Sequence, residues 1–488
     1  MADNFSLAYR LLKGVRFIKD GSTLYLIRRN PLAAVALNPA WKPVLDILTD
    51  DEYISFTEIC AHINADPDKT EIYLNSLVRK GFIESKGYRH LEEYPFISII
   101  IPVRNRPDDI YECLTSLLKL EYPPDKKEII VVDDASDDNT FEIISSFPVR
   151  LLKNPKRMQA SRSRNLAAGK ARGDILAFID SDCTADPLWL MELASCFNDE
   201  SNGAAGGLVD SRFEKKILDR YEKKSSSLNM GTLPKSSKEA GSFFYLPSCN
   251  FLVRKDIFLK LEGFNGSMTV GEDVDFCWRL TESGREIEYR PAGTVYHKHR
   301  NKIAAFFTRR FQYGTSEPFL RKKHPDRIKR MFYMPLAILF WASILTAVLM
   351  NNFIIPAVSV LIMFADTHTK WRQVKIKKLP VEYKNVLYAV IRGYFVSVYF
   401  WCAFFSRYYL IFAFLLFPFF PLVCLLLFIN HFIVSMCEIF LKKPLPDIVS
   451  FLCLFTIEQL AYQLGVWYGC FRYSVSNPVN PVLSRWKS

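Results

Sequence analysis

Three acidic elements and one histidine stand out in the middle of the chain. They are Asp133-Asp134, Asp180-Ser181-Asp182, Glu272-Asp273 behind Gly271, and His297 further on. Carboxylates in such groups can ligate a hard divalent cation or take a proton from a hydroxyl. A lone D-x-D is often only a capped loop. An ordered set at strand ends says more, because ligands of a doubly wound sheet sit outside the carboxyl ends of its strands. Glu272-Asp273 also has a plainer reading, since acids favour the N-terminal dipole of the helix expected over 273–283.

The elements that must position these residues alternate. Phe96–Pro102 is a near-continuous apolar run, as expected of a strand buried on both faces. A helix is predicted over 108–120, a strand over 128–133, a helix over 139–147, a short strand at Leu151-Leu152, a helix over 160–171 and a strand over 174–180. A later strand falls at 286–289. This pattern predicts an α/β, Rossmann-like domain over residues 95–300.

Composition excludes other classes. The chain has 488 residues, 50% hydrophobic and 23% charged, which argues for several domains and against disorder. Its net charge of +12 is local: residues 298–330 carry +9 and residues 366–385 carry +4, both beside apolar stretches. That reads as membrane flanks facing the cytoplasm, with no nucleic-acid partner. The eleven cysteines are scattered, with no C-x-x-C pair, so neither a disulfide framework nor a structural zinc site is expected. No compact apolar segment with a cleavage site begins the chain, and the soluble part is expected in a reducing cytoplasm.

Residues 1–92 read as a separate unit. Leu24–Arg29 is a strand; helices are expected over 39–48, 56–63 and 68–80, with Asn38 as a cap and Gly81 as a stop; Phe82–Ser85 is a wing-like strand. Three helices and a wing form a winged-helix pattern. Residues 1–90 carry a net charge of only +1, too little for a phosphate-neutralising face. The unit is therefore a structural appendage or a peptide-binding module. Beyond a basic juxtamembrane segment (301–331), residues 332–472 hold the apolar stretches 332–350, 353–365, 386–405, 408–429 and 449–470. Four spans are expected, with three to five allowed, and 408–429 is the cleanest. Glu458, Gln459 and Gln463 share one face that should pack on another helix. Residues 473–488 form a tail.

Five motifs now stand in order: Ile-Ile-Ile-Pro-Val-Arg-Asn (99–105), Val-Val-Asp-Asp-Ala-Ser-Asp-Asp-Asn-Thr (131–140), Ser-Arg-Asn-Leu-Ala (163–167), Phe-Ile-Asp-Ser-Asp (178–182) and Gly-Glu-Asp-Val-Asp-Phe (271–276). Together they resemble the family 2 glycosyltransferases and their GT-A fold. The resemblance implies that Pro102, Arg104 and Asp133 or Asp134 line a nucleotide pocket, a carboxylate accepting the uracil N–H. Asp180 would touch ribose or metal. Asp182 would hold Mg²⁺ or Mn²⁺ on the diphosphate of a nucleotide-sugar donor. Arg162 and Arg164 would reach phosphate or brace the loop, and Asn165 matches the asparagine of the family's A-R-N element. The family's glycine-containing lead-in is replaced here by Asn154–Gln159, a departure that bears on the phosphate contacts. Asp273 would be the catalytic base of an inverting displacement, with Glu272 orienting the acceptor or supporting the loop. His297 would complete the metal or diphosphate site. Asn250 would meet a sugar hydroxyl. Arg309 and Arg310 stand where relatives grip the diphosphate or acceptor, or they anchor the chain at the membrane.

The first 92 residues resemble the PqqD-like peptide-recognition domains. The three-part order and the run Arg309–Ser316 resemble the glycosyltransferases of the mycofactocin system. That implies transfer of glucose from UDP-glucose to a peptide-derived redox cofactor, at the cytoplasmic membrane, with a precursor-peptide-derived acceptor and membrane lipids as partners. Two alternatives stand beside it. One is a lipid-linked or cell-envelope polysaccharide acceptor; the other is a non-catalytic scaffold that presents a peptide.

Overall fold

The computed structural model describes residues 6–486 apart from 21–22, 30, 353 and 444–445. Phe353, where one apolar stretch was expected to begin, lies outside the described residues, as do residues 1–5 and 487–488 of the two expected terminal regions.

The N-terminal unit contains β1 (Ala8–Leu11), β2 (Val15–Asp20), β3 (Thr23–Arg29), β4 (Leu32–Leu37), α1 (Lys42–Ile47), β5 (Ile54–Ser55), α2 (Phe56–Ile63), α3 (Pro67–Arg79) and β6 (Ile83–Lys86). The helices stand where apolar spacing predicts them. Ser55 and Asp66 cap α2 and α3 by accepting from the backbone N–H groups of Glu58 and Lys69. The strands exceed expectation. β2, β3 and β4 form an antiparallel sheet, and β1 pairs with both β5 and β6. β4, Leu-Ala-Ala-Val-Ala-Leu, lacks a polar alternation that would mark it as a half-solvated strand.

The central domain runs β7 (Ile97–Val103), α4 (Pro107–Leu117), β8 (Lys127–Asp133), α5 (Thr140–Ser145), β9 (Arg150–Lys153), α6 (Ala160–Lys170), β10 (Ile175–Phe178), β11 (Cys183–Ala185), α7 (Trp189–Ala194), β12 (Asn202–Gly206), β13 (Val209–Ser211), α8 (Ile217–Ser225), β14 (Lys235–Ser236), α9 (Ser237–Ala240), β15 (Phe251–Arg254), α10 (Lys255–Lys260), α11 (Glu272–Glu282), β16 (Glu286–Tyr289) and β17 (Val295–His297). Eight strands form one sheet in the order β14-β16-β12-β15-β10-β7-β8-β9. β10, β7, β8 and β9 are parallel, and β15 runs against β10 and β12. The α/β class expected from the alternation is what the domain contains. Apolar cores fill both faces of the sheet, one around Ile99, Ile101 and Trp189, the other around Phe178, Phe251 and Phe276. A small second sheet, β11-β17-β13, stands beyond the end of β10.

The last third holds α12 (Ile303–Lys323), β18 (Arg330–Tyr333), α13 (Pro335–Leu349), α14 (Ile355–Ile376), α15 (Tyr383–Leu415), α16 (Pro421–Lys442), α17 (Ile448–Tyr473) and β19 (Val482–Arg485). Among the described residues three helices, α15, α16 and α17, are long and apolar enough to cross a membrane. That is one fewer than the four expected and within the three to five allowed. α13 has 15 residues, short of the roughly 20 a bilayer needs. The stretch 408–429, expected as the cleanest span, is not one helix. α15 stops at Leu415 and α16 starts at Pro421, because Pro418 and Pro421 cannot donate the hydrogen bonds that would continue the helix. The 33 residues of α15 span about 50 Å, more than a bilayer core of about 30 Å. Its surplus first turns (Val386, Val390, Tyr394) pack instead with Ile27 and Tyr25 of β3. The β2–β3–β4 sheet thus buries a second face, against the C-terminal helices.

Candidate active site

The carboxyl ends of the parallel strands β7, β8 and β10 lie side by side. Asp133 ends β8 in register with Val103 of β7. One of its oxygens accepts from the Ser136 N–H, 3.2 Å; the other, Oδ2, is buried with no partner among the described residues. Asp134 does a different job. It accepts from Asn154 Nδ2 (2.7 Å), Met158 N–H (2.6 Å) and Gln159 N–H (2.9 Å), and so ties down the loop that replaces the expected glycine lead-in. Gln159 sits at φ 74°, ψ 161°, a conformation that favours glycine. The loop keeps the glycine-type backbone without the glycine, held by the Asp134 carboxylate. Pro102 is buried on β7, and Arg104 lies half-buried beside it, its Nε donating to Ala135 O at 3.4 Å.

Arg164 on α6 joins two of the motifs. Its guanidinium, 3% exposed, donates to Asp180 Oδ1 at 2.5 Å and Glu272 Oε1 at 3.1 Å, over the ring of Phe264. Burial opposes charge on Asp180, but Arg164, then His297 and Arg309, hold its pKa below the ordinary carboxylate value. Arg162, two residues earlier and on the other side of α6, is exposed and lies against Gly266. Asn165 is committed to backbone. Its amide donates to Phe264 O (2.7 Å) and accepts from Phe264 N–H (2.9 Å), which fastens the loop leading to α11.

Asp273 stands in the first turn of α11. Its Oδ2 accepts from Ser248 N–H at 3.2 Å, and its Oδ1 from its neighbour Val274 N–H at 2.8 Å. Burial, then the adjacent Glu272 carboxylate, push its pKa up to about 7. Glu272 is taken by Arg164 and stands as a brace. Asp275, two residues on, is buried against His324, Lys323 and Arg279, and despite burial those partners bring its pKa down to about 2. Two acids in one turn, Asp273 and Asp275, are therefore pushed in opposite directions.

The antiparallel pairing of β11 and β17 sets Cys183 opposite His297, which brings the histidine to Asp182. His297 Nε2 lies 3.6 Å from Asp182 Oδ1, and Cys183 Sγ lies 4.0 Å from the same oxygen. The ligand atoms of these three residues all fall within 4.8 Å of one another. A separation of 3.6 Å is longer than a hydrogen bond and suits two ligands of one ion. Sequence reasoning missed Arg106, whose Nη1 donates to Asp182 Oδ2 at 2.7 Å and Asp109 Oδ2 at 3.2 Å. The partners are 76 positions apart, and only the fold joins them. His299 stands beside His297, its pKa pushed down to about 3 by burial, then by His297 and Arg310.

Two residues expected at the sugar or diphosphate lie elsewhere. Asn250 is fully buried. It accepts from Trp189 Nε1 (2.8 Å) and donates to Leu208 O (3.0 Å) and Gly293 O (2.8 Å), which leaves no donor for a sugar. Arg310 is buried between α8 and α17, 2.9 Å from Glu222 and 3.4 Å from Glu458. It clamps the central domain to the apolar helices. Arg309, half-buried one residue earlier over Tyr313, remains among the cations acting on Asp180.

Residues 98–261 match the family described as Glycosyl transferase family 2. A pre-mycofactocin glycosyltransferase of Mycobacterium tuberculosis is 28% identical over 68% of this chain and 67% of its own length. Glycosyltransferase AglE of Haloferax volcanii is 29% identical over 40% of this chain and 64% of its own. Among solved structures, a mannosyltransferase from Pyrobaculum calidifontis in complex with GDP-Man and Mn²⁺ aligns with TM-score 0.40 and 16% identity, over 70% of this chain and 95% of that one.

Proposed function

We propose, on the premise that this chain carries a family 2 glycosyltransferase domain, that it is an inverting, divalent-cation-dependent transferase at a membrane. Its donor is UDP-glucose and its acceptor is peptide-derived, of the kind the pre-mycofactocin relative is named for. The observation that carries the reaction is Asp273, a carboxylate with its pKa raised to about 7, which can accept a proton near neutral pH. It takes the proton of the acceptor hydroxyl as that oxygen bonds to the anomeric carbon. The bond from that carbon to the diphosphate oxygen breaks, and the nucleoside diphosphate leaves. One displacement inverts the configuration. The unpartnered Oδ2 of Asp133 suits an N–H of the base. Asp182 and His297, with Cys183 beside them, would hold Mg²⁺ or Mn²⁺, whose chemistry there is to offset charge on the leaving diphosphate.

The peptide reading draws support from the N-terminal unit, which sits against the helices of the last third. The basic segments flanking the apolar helices favour a cytoplasmic active site. The test is mass spectrometry of hexose transfer by the detergent-solubilised protein. It contains Mg²⁺ or Mn²⁺, UDP-glucose and the matured precursor-peptide product, with Asp273→Asn as control. Hexose added by the wild type and not by the variant supports the reading. UDP release without peptide modification removes the peptide acceptor and points to a lipid. No turnover with any nucleotide sugar leaves the scaffold.

A further inference from the structure

Asp182 is already half occupied by a cation of the chain itself. Arg106 stands immediately before α4, its side chain making no capping bond, and its backbone N–H donates to Thr140 Oγ1 at 2.9 Å. Its guanidinium holds Asp182 Oδ2 at 2.7 Å, while the other oxygen of Asp182 faces His297. A second carboxylate is within reach on the same helix: Asp109 lies 3.2 Å from the same nitrogen and is bound on its far side by Lys298 at 2.6 Å. Arg106 is 35% exposed, so its long side chain has room to turn toward solvent.

Resting on the reading of Asp182 and His297 as the cation site, we propose that Arg106 is a positioning residue. It competes with the divalent cation for Asp182 and yields it when the nucleotide diphosphate arrives. Two cations on one carboxylate repel each other at this range in a half-buried site. The cation alone must therefore displace a charge-assisted hydrogen bond before it can use the full carboxylate. When cation and diphosphate arrive together, Arg106 exchanges Asp182 for phosphate oxygens, which a guanidinium binds at least as well. Asp109 steadies the arginine as it changes partner. The consequence is mutual: nucleotide tightens cation binding, and cation tightens nucleotide binding by the same factor. The site thus loads as a pair and holds little free cation.

Mn²⁺ binding to the detergent-solubilised full chain, read by the paramagnetic resonance of free Mn²⁺, tests this with and without UDP. Wild type should bind Mn²⁺ weakly alone and at least about tenfold more tightly with UDP, a coupling of ordinary size. Arg106→Gln should bind Mn²⁺ alone about tenfold more tightly than wild type and lose most of the gain from UDP. Arg106→Lys keeps the positive charge and should stay close to wild type. Unchanged or weaker Mn²⁺ binding by Arg106→Gln, while the wild type still gains from UDP, overturns the inference and leaves the cation site standing. Equal tightening by the lysine variant overturns it too, because competition by charge would then be absent. No Mn²⁺ binding by wild type under either condition overturns both the inference and the cation reading.

Discussion

Asp273 is held between opposing influences. Burial and Glu272 raise its pKa to about 7, while the N–H groups of Val274 and Ser248, and Arg164, lower it. A base must be ionised to act, so kcat/KM should rise about tenfold per pH unit below about pH 7 and level off above it. The stability effect has the opposite sign. A carboxyl whose pKa is raised on folding binds its proton more tightly folded than unfolded between about pH 4 and pH 7. Stability from this group is therefore present at low pH and is lost as pH rises through that window. Asp273→Asn should abolish transfer and flatten this part of the stability profile. Thermal unfolding of both proteins at pH 5 and pH 8 checks the second half. An unchanged pH-rate profile with Asn at 273 would remove Asp273 as the base.

At the scale of elements, the crossing of α12 with α17 decides how the central domain meets the apolar helices. Gly314 and Gly465 face each other there: a Cβ on Gly314 would run into Tyr462 O, and a Cβ on Gly465 into Phe311 O. The two backbones touch because neither residue has a side chain. That close approach sets Arg310 between Glu222 and Glu458, with Tyr221 donating to Glu458 at 2.5 Å. Gly465→Val should force the helices apart and cost about 1–3 kcal/mol, the usual range for overpacking. Thermal unfolding in detergent should show the loss, and transfer activity should fall with it because α12 also lies against the start of α11, where Ser316 packs at Gly271. A variant with unchanged melting would mean that the crossing has more slack than its geometry indicates.

At the scale of the whole molecule, the N-terminal unit is built into the structure on two sides. Its sheet packs on the helices of the last third, and its helix α3 is locked to the central domain by Glu71. That buried carboxylate accepts from Ser195 Oγ (2.8 Å) and pairs with Arg89 (3.2 Å) and Arg290 (3.3 Å). Removing one partner of a buried ionic cluster typically costs about 3–5 kcal/mol. Glu71→Ala should therefore loosen the docking, and hydrogen exchange of the α3 amides should speed up about 100-fold or more, since each 1.4 kcal/mol is a factor of ten. Exchange confined to its wild-type rate would show that the docking rests on apolar contact alone. A unit fixed in this way presents anything bound to it at a set distance from Asp273, whereas a tethered one would search.

The residues themselves determined the α/β alternation, the three N-terminal helices and the identity of the acidic set. Each of these is a local pattern: apolar period, a capping side chain, or carboxylates just past a strand. Local pattern also sufficed for Glu458, Gln459 and Gln463, whose common face does pack inside, Gln463 donating to Ser406 O. Tertiary structure alone decided which polar residues are spent on structural partners. Asn250, Asn165 and Arg310 have the right types in the right motifs, yet each spends its hydrogen bonds on distant backbone or carboxylates that only folding brings near. Arg106 is the converse, an arginine with no local mark that reaches Asp182 from 76 positions away. The length of α15 was hidden for the same reason. A break in apolar pattern at Arg407 looks like a helix end in one dimension, but in three it is a cation laid 3.8 Å over the Tyr462 ring of a neighbouring helix. Spacing along the chain encodes what a segment will be. The partner of a buried charge or amide is chosen by the packing of separate segments, and sequence distance carries no trace of it.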